Sequence, residues 1–248
     1  MPETSKILVI DAGNTSVKVA IFIDDQVYSV NRTSFAEFKE SLLNKEFSEI
    51  NKSALCSVLI EQDTKDLLSL LPNATLINTS IKSDLSSVYK SMATLGVDRW
   101  CNAVAIHALK KDQSSISIDI GTCVKFDAVI EGKYIGGSIS PGIDLRYKAL
   151  NNFTAALPLL DFKAKSMLTG DSTTSSIHSG VVNGLLSEIN GMIERYEQSY
   201  KGLTFFVTGG DAQYFDFGGK NNIFVDENLT LKGIYALHLF QHTFNRPT

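Results

Sequence analysis

Cysteine is scarce in this chain. Cys56, Cys101 and Cys123 are odd in number, widely spaced and form no C-x-x-C pair. Such usage argues against a disulfide framework or a cysteine-built zinc site and suits reduced thiols. Positive charge is also in short supply, with 27 acidic side chains against 23 basic. A nucleic-acid binder carries an excess of the opposite sign, so nucleic acid is not an expected partner. No apolar run approaches the length of a membrane span, and residues 1–6 lead straight into a strand pattern rather than a signal-peptide core. A soluble, cytoplasmic protein without membrane contact is expected. Low-complexity linkers are absent too, so any domain boundary must fall within ordinary globular sequence.

What the chain does have is a sentence written twice. LVIDAGNTSVKVAIF runs from Leu8 to Phe22, and SIDIGTCVKFDAVI from Ser117 to Ile130. Each copy is an apolar strand entering Asp-x-Gly, then a hydroxyl residue, a lysine and a second alternating run. Val17, Val19, Ile21 and Ile23 recur with period two after the glycine. That spacing predicts a β-hairpin rather than a strand-to-helix loop. Neither copy has the G-x-x-x-x-G-K-[ST] of a P-loop. Both place an Asp at a strand end, a Gly that lets a ligand approach the backbone, and a Thr near free amides. Two such turns facing across a cleft would suit the phosphates and Mg²⁺ of a nucleotide.

At 248 residues, one large domain or two small ones are both possible, and the repeat favours two. Strands are expected over residues 6–30, turning at Gly13-Asn14 and Asp24-Asp25, and at 54–60 and 75–78. Helices are expected at 35–47 with Ser34 as cap, at 64–71 stopped by Pro72, and at 98–109. The second half repeats the opening from Ser114, with a third strand at 133–135, a helix after Pro141 in its first turn, and a long helix over 172–200 weakened by Gly180, Gly184 and Gly191. A strand at 205–208 and a helix at 231–244 close it. The boundary falls near 111–115, giving halves 1–113 and 114–248.

The first turn, Asp11-Ala12-Gly13-Asn14-Thr15-Ser16-Val17-Lys18, has the inventory for phosphate handling: a carboxylate for Mg²⁺, turn amides and a lysine to neutralise charge. An ordinary hairpin turn is the bland alternative. Recurrence at Asp119-Ile120-Gly121-Thr122 argues against it. Gly209-Gly210 after the strand FFVT offers a surface on which a flat ring or ribose could lie. Gly96-Val97-Asp98-Arg99 puts an acid and an arginine at a helix start; Asp98 there is either a proton acceptor for a substrate hydroxyl or a plain N-terminal Asp beside a surface Arg. His238 and His242, four apart, have no acidic partner at metal spacing, and Cys123 reads as a small core residue.

Taken together, these motifs resemble the type III pantothenate kinases, of the acetate kinase, sugar kinase and actin superfamily. The elements follow family order over nearly the whole chain: DAGNTSVK, Tyr89 before GVDR, DIGTCVKFD, GGSISPG, TAALP, GDST and TGG. The resemblance implies an α/β fold of two duplicated ribonuclease H-like (actin-like ATPase) domains with an interdomain nucleotide cleft. It also implies ATP-dependent phosphorylation of pantothenate, the first step of coenzyme A synthesis. On that footing Asp11, Ala12, Gly13, Asn14, Thr15, Ser16, Val17, Lys18 and Thr122 would bind ATP and its Mg²⁺, with Asp11 nearest the metal. Asp98 would be the general base. Tyr89, Gly96, Val97, Asp98, Arg99 and Thr173 would meet pantothenate. Asp119 would hold a monovalent cation, K⁺ or NH₄⁺, and the protein would be a homodimer.

Two residues depart from the family pattern, Met92 for Pro and Lys125 for Thr. Period two puts Lys125 on the face of Cys123 and Asp127, close to the implied cation site. Either its ammonium takes over part of the cation's role, or it points to solvent and the cation stays. With a one-residue gap it also falls opposite Lys18. Two rival functions share the fold: a non-catalytic nucleotide-binding regulator, and a kinase for another small hydroxy acid.

Overall fold

The computed structural model describes residues 5–111, 113–217, 219 and 221–244. Two compact units emerge: one holds the chain up to Ala108 together with the stretch from Asn228 onward, the other runs from Leu109 to Glu227. The crossover differs from the expected 113/114 division in the last helix, which belongs with the first unit. Part of the expected boundary, Asp112, lies outside the described residues.

The first unit contains β1 (Lys6–Ala12), β2 (Val17–Ile23), β3 (Gln26–Thr33), α1 (Phe35–Leu43), β4 (Ser53–Ser57), α2 (Glu61–Leu70), β5 (Ala74–Leu76), the short β6 (Ser86–Ser87) and α3 (Val97–Leu109). The sheet is ordered β3-β2-β1-β4-β5, antiparallel on the hairpin side and parallel beyond β1. Central β1 is buried on both faces. Leu8, Ile10 and Ala12 cluster with Phe38, Leu42 and Leu67 from α1 and α2, while Ile7 and Val9, pointing the other way by the strand period, are buried as well. The β2–β3 turn falls at Asp24-Asp25, both at positive φ, the backbone of a tight hairpin turn. Ser34 caps α1 as expected, its hydroxyl accepting from the Glu37 amide while Glu37 reaches back to the Ser34 amide.

The second unit contains β7 (Ser115–Ile120), β8 (Cys123–Ile130), β9 (Lys133–Pro141), α4 (Ile143–Asn152), α5 (Thr173–Ser199), β10 (Thr204–Thr208) and β11 (Ile223–Val225); α6 (Leu229–Phe244) then returns to the first. Within this unit the strands lie β11-β10-β7-β8-β9. Each sheet therefore runs third, second, first, fourth, fifth in its own strand order, so the duplication extends beyond the two turns to the whole topology. Ile116, Ile118, Ile120, Val124 and Phe126 pack with Ile143 and Tyr147 of α4 and with Leu185, Ile189 and Ile193 of α5.

Several features differ from the sequence reading, among them the unexpected short β6 and the length of β9, which was expected only over 133–135. Pro141 ends β9 instead of opening α4, and Gly142 is the N-cap. Strand β11 was not foreseen; it is three residues long and takes its place only by pairing with β10. Helix α6 packs against β1 and β4. Its close seat on α3 depends on Gly233, where a Cβ would fall 1.9 Å from the Cys101 carbonyl oxygen, and Thr230 donates to Asn102 Oδ1 at 2.8 Å.

Candidate active site

In the first unit, the β1–β2 hairpin pairs Asp11 with Lys18 and Ala12 with Val17. Directly opposed residues of an antiparallel pair share a face, so the carboxylate and the ammonium project to the same side of the sheet. Residues 13–16 form the loop, closed by the Gly13 amide donating to the Ser16 carbonyl at 3.1 Å. Asn14 and Thr15 are exposed at its tip and Asp11 is half-buried, a geometry open to a polyphosphate. Ala12 and Val17 are fully buried core residues, and the Ala12 carbonyl accepts from Val58, so neither presents a side chain to a ligand.

Asp98 occupies the first turn of α3, where one carboxylate oxygen accepts from the Arg99 amide at 2.9 Å. Gly96 lies directly beneath: a Cβ there would stand 2.6 Å from the same oxygen. Arg99 is 5% exposed, which rules out the surface arginine that the sequence left open. Tyr89 is half-buried and its amide donates to Ser87 Oγ at 3.1 Å. Asp11 and Asp98 flank one feature in common, the buried thiols of Cys56 and Cys101. The hydrogen bond with Cys101 and burial hold the Cys56 thiol well above its ordinary pKa, and the charges of Asp11 and Asp98 push the same way. Register explains the approach, since Cys56 on β4 is the parallel partner of Asp11. The unit thus brings Asp11 and Asp98 around a pair of neutral thiols, a proximity that sequence spacing could not reveal.

In the second unit, Asp119, one residue before the end of β7, lies opposite Lys125 of β8, and Lys125 Nζ stands 2.7 Å from Asp119 Oδ2. Two neighbouring turns close on this one. The Gly142 amide donates to the Thr122 carbonyl at 3.0 Å, and a Cβ on Gly142 would fall 1.9 Å from the Gly121 carbonyl oxygen. The Asp211 amide donates to the Ile120 carbonyl at 2.9 Å, and Gly209 sits at φ +98° with Ile120 against it. Thr122 itself is exposed. Thr173 is exposed at the start of α5, behind a box in which Ser172 and Ser175 cap each other's amides. Asp211 escaped the sequence reading, and Gly142 entered it only as the end of GGSISPG; the fold brings both to the turn.

His238 and His242 stack edge-to-face at 4.5 Å, and both hydrogen-bond Thr75, at 3.1 and 3.3 Å. No group of three or more metal-ligating side chains occurs among the described residues, and no helix there is long and apolar enough to cross a membrane. The three cysteines are free thiols.

The model of the type III pantothenate kinase family matches residues 7–195. A type III pantothenate kinase of Christiangramia forsetii is 38% identical over 247 residues, covering 95% of this chain and 99% of that one. The chain belongs to the type III pantothenate kinase family. The homologue in Flavobacterium johnsoniae is 35% identical over 244 residues, covering 95% of this chain and 98% of its own. Among solved structures, a candidate Baf-family transcriptional activator from Campylobacter jejuni superposes at TM-score 0.62 with 18% identity over 95% of this chain and 99% of that one. Lmo2764 of Listeria monocytogenes, a candidate N-acetylmannosamine kinase, superposes at 0.51 with 11% identity over 97% of this chain and 100% of its own. At such identities the likeness concerns the fold, the duplicated ribonuclease H-like α/β architecture that this pantothenate kinase has in its two units.

A type III pantothenate kinase uses ATP and a divalent metal. The first turn fits a hard cation: a half-buried carboxylate at a strand end beside exposed amide and hydroxyl oxygens of Asn14 and Thr15 is the donor set that Mg²⁺ accepts. Asp11 would hold it, and the ion would supply charge neutralisation at the transferred phosphoryl group. Asp119 does not fit a monovalent cation equally well, because an ammonium already rests on its carboxylate.

Proposed function

We propose that this chain phosphorylates the primary hydroxyl of pantothenate with ATP, Asp98 acting as general base. Asp98 accepts the hydroxyl proton as the oxygen bonds to the γ-phosphorus, the bridging bond to the β-phosphate breaks, and ADP leaves. The observation that carries the reading is the seating of Asp98: one oxygen on the Arg99 amide, the carboxylate laid over Gly96, and the next residue, Arg99, buried. Such a carboxylate is positioned rather than mobile, which is what proton transfer in a phosphoryl-transfer step requires.

The remaining roles are those the family resemblance implies, and the exposure of the first turn and the burial of Arg99 support them. Asp11, Gly13, Asn14, Thr15, Ser16 and Lys18 handle the phosphates and Mg²⁺ from the first turn, with the backbone of Ala12 and Val17 framing it, and Thr122 contributes a hydroxyl from the second. Tyr89, Gly96, Val97, Arg99 and Thr173 recognise pantothenate, Arg99 through its carboxylate. A cytoplasmic homodimer suits the biosynthetic role, and a partner subunit would cover Phe153 and Leu168, which are 87% and 84% exposed.

Purified protein with ATP and Mg²⁺ should release ADP only when pantothenate is added. Asp98→Asn should lose about 10²–10⁴-fold in kcat while binding ATP as before. Absence of pantothenate-dependent ADP from the unaltered protein would reject the activity, whereas a fully active variant would reject only the base.

A further inference from the structure

We infer that the Lys125 ammonium is a built-in substitute for a monovalent cation at Asp119, making this enzyme independent of K⁺ and NH₄⁺. The inference rests on the reading of the second turn given above. Its foundation is the cross-strand register of β7 and β8, which makes Asp119 and Lys125 direct partners on one face. Nζ stands 2.7 Å from Oδ2, and the two side chains are only 16% and 13% exposed. A surface ion pair swings freely in water; this one is enclosed.

The enclosure is made of backbone. Gly209, at φ +98°, lies so near that a Cβ would be 2.6 Å from Asp119 Oδ1 and 2.2 Å from the Ile120 carbonyl oxygen. A Cβ on Gly121 would lie 3.9 Å from Oδ1. A carboxylate walled in this way needs one positive charge, and an ammonium carries the same charge as K⁺ with donors that suit oxygen ligands.

Competition favours the lysine. Its tether makes pairing intramolecular, at an effective concentration of order millimolar or above, whereas a free cation must also displace a bond already formed. Co-occupancy is disfavoured too, because two unit positive charges about 4 Å apart in a partly buried site weigh against each other by a factor of about a thousand. The first turn uses the same pairing, Asp11 opposite Lys18, so Lys125 gives the second turn the grammar of the first.

The test compares the unaltered protein with Lys125→Thr in choline chloride and in potassium chloride. Two readouts are followed: pantothenate-dependent ADP release and the thermal midpoint without substrates. The unaltered protein should change less than about twofold in rate and not at all in midpoint when about 100 mM K⁺ replaces choline. Lys125→Thr should be slowed at least tenfold in choline and recover on adding K⁺, which should also raise its midpoint. A purely structural lysine would give a defect that K⁺ does not rescue, and that result overturns the inference. So does a K⁺-dependent midpoint or rate in the unaltered protein, a readout that decides the matter even if the variant fails to fold. If no ADP appears under any salt, the proposed activity fails on its own, while the midpoints still decide whether Lys125 or a cation occupies the site.

Discussion

Gly96 is the floor on which Asp98 rests: a Cβ at residue 96 would stand 2.6 Å from Asp98 Oδ1. The carboxylate has only two side-chain torsions with which to escape, so an added methyl must turn it away from the Arg99 amide. Gly96→Ala should therefore lower kcat by roughly tenfold or more, equivalent to about 1.4 kcal/mol of transition-state stabilisation. Its thermal midpoint should fall little, because residue 96 is half-buried and its own backbone is not at positive φ. Steady-state rates and a melting curve on the same preparation check both halves. An unimpaired kcat would mean that Asp98 need not hold this position.

Glycines in this chain divide sharply by what surrounds them. Gly209 has φ +98° and three atoms of the β7 turn within 2.6 Å of a would-be Cβ. Gly191, inside α5, has nothing within 4 Å. Gly209→Ala should cost roughly 2–4 kcal/mol through strain and overlap, and weaken nucleotide binding with it. Gly191→Ala should stabilise by about 0.5–1 kcal/mol, the ordinary helix preference for alanine. Urea titrations of both variants would show opposite displacements of the midpoint. Displacements of the same sign would contradict this account.

How much of this was legible beforehand depends on whether an interaction is local. The hairpin turns, the Ser34 cap and the second face of β8 are written in short-range spacing, and they stand as read. Lys125 was placed near Asp119 by period two alone, but its pairing awaited the register, because a turn one residue shorter or longer changes which residues oppose. Arg99 shows the limit on the other side. A charged residue at a helix start reads as exposed, yet residues 99–107 of α3 are all buried, since the helix is covered around its whole circumference. The docking of α6 on β1 is longer in range still: it joins residues more than two hundred apart, with Gly233 permitting the approach.

Tyr235 of α6 donates to Asp25 Oδ1 at 2.5 Å while its ring stacks on Phe22 at 4.3 Å. Burial first, and then the Asp25 carboxylate, push its phenol well above the ordinary tyrosine range. A folded pKa above the unfolded value near 10 means that the contribution is whole below pH 10 and is lost as pH climbs beyond it. Tyr235→Phe keeps the ring stack and removes the titration. It should cost about 1 kcal/mol at pH 7.5, and its stability should decline less than that of the unaltered protein between pH 9 and 11. Parallel decline of the two proteins would show that Tyr235 does not set the alkaline limit.

His238 governs the acid side. It is 1% exposed, bonded to Thr75 Oγ1 at 3.1 Å, and burial lowers its pKa to about 4, with His242 and Lys52 adding repulsion of the same sense. The unfolded chain takes up this proton near pH 6.5, whereas the folded one resists it until about pH 4. Unfolding is therefore favoured by proton uptake throughout that window: the contribution is whole above pH 6.5 and drains away as pH falls toward 4. At pH 4.5 the loss should reach roughly 2 kcal/mol. His238→Gln retains a hydrogen-bonding group without the titration. Carboxylates add their own acid dependence to both proteins, so the informative quantity is the difference in unfolding free energy between them, followed by urea titration from pH 7.5 to 4.5. That difference should move in favour of the glutamine variant as the pH drops; a constant difference would remove His238 from the acid limit.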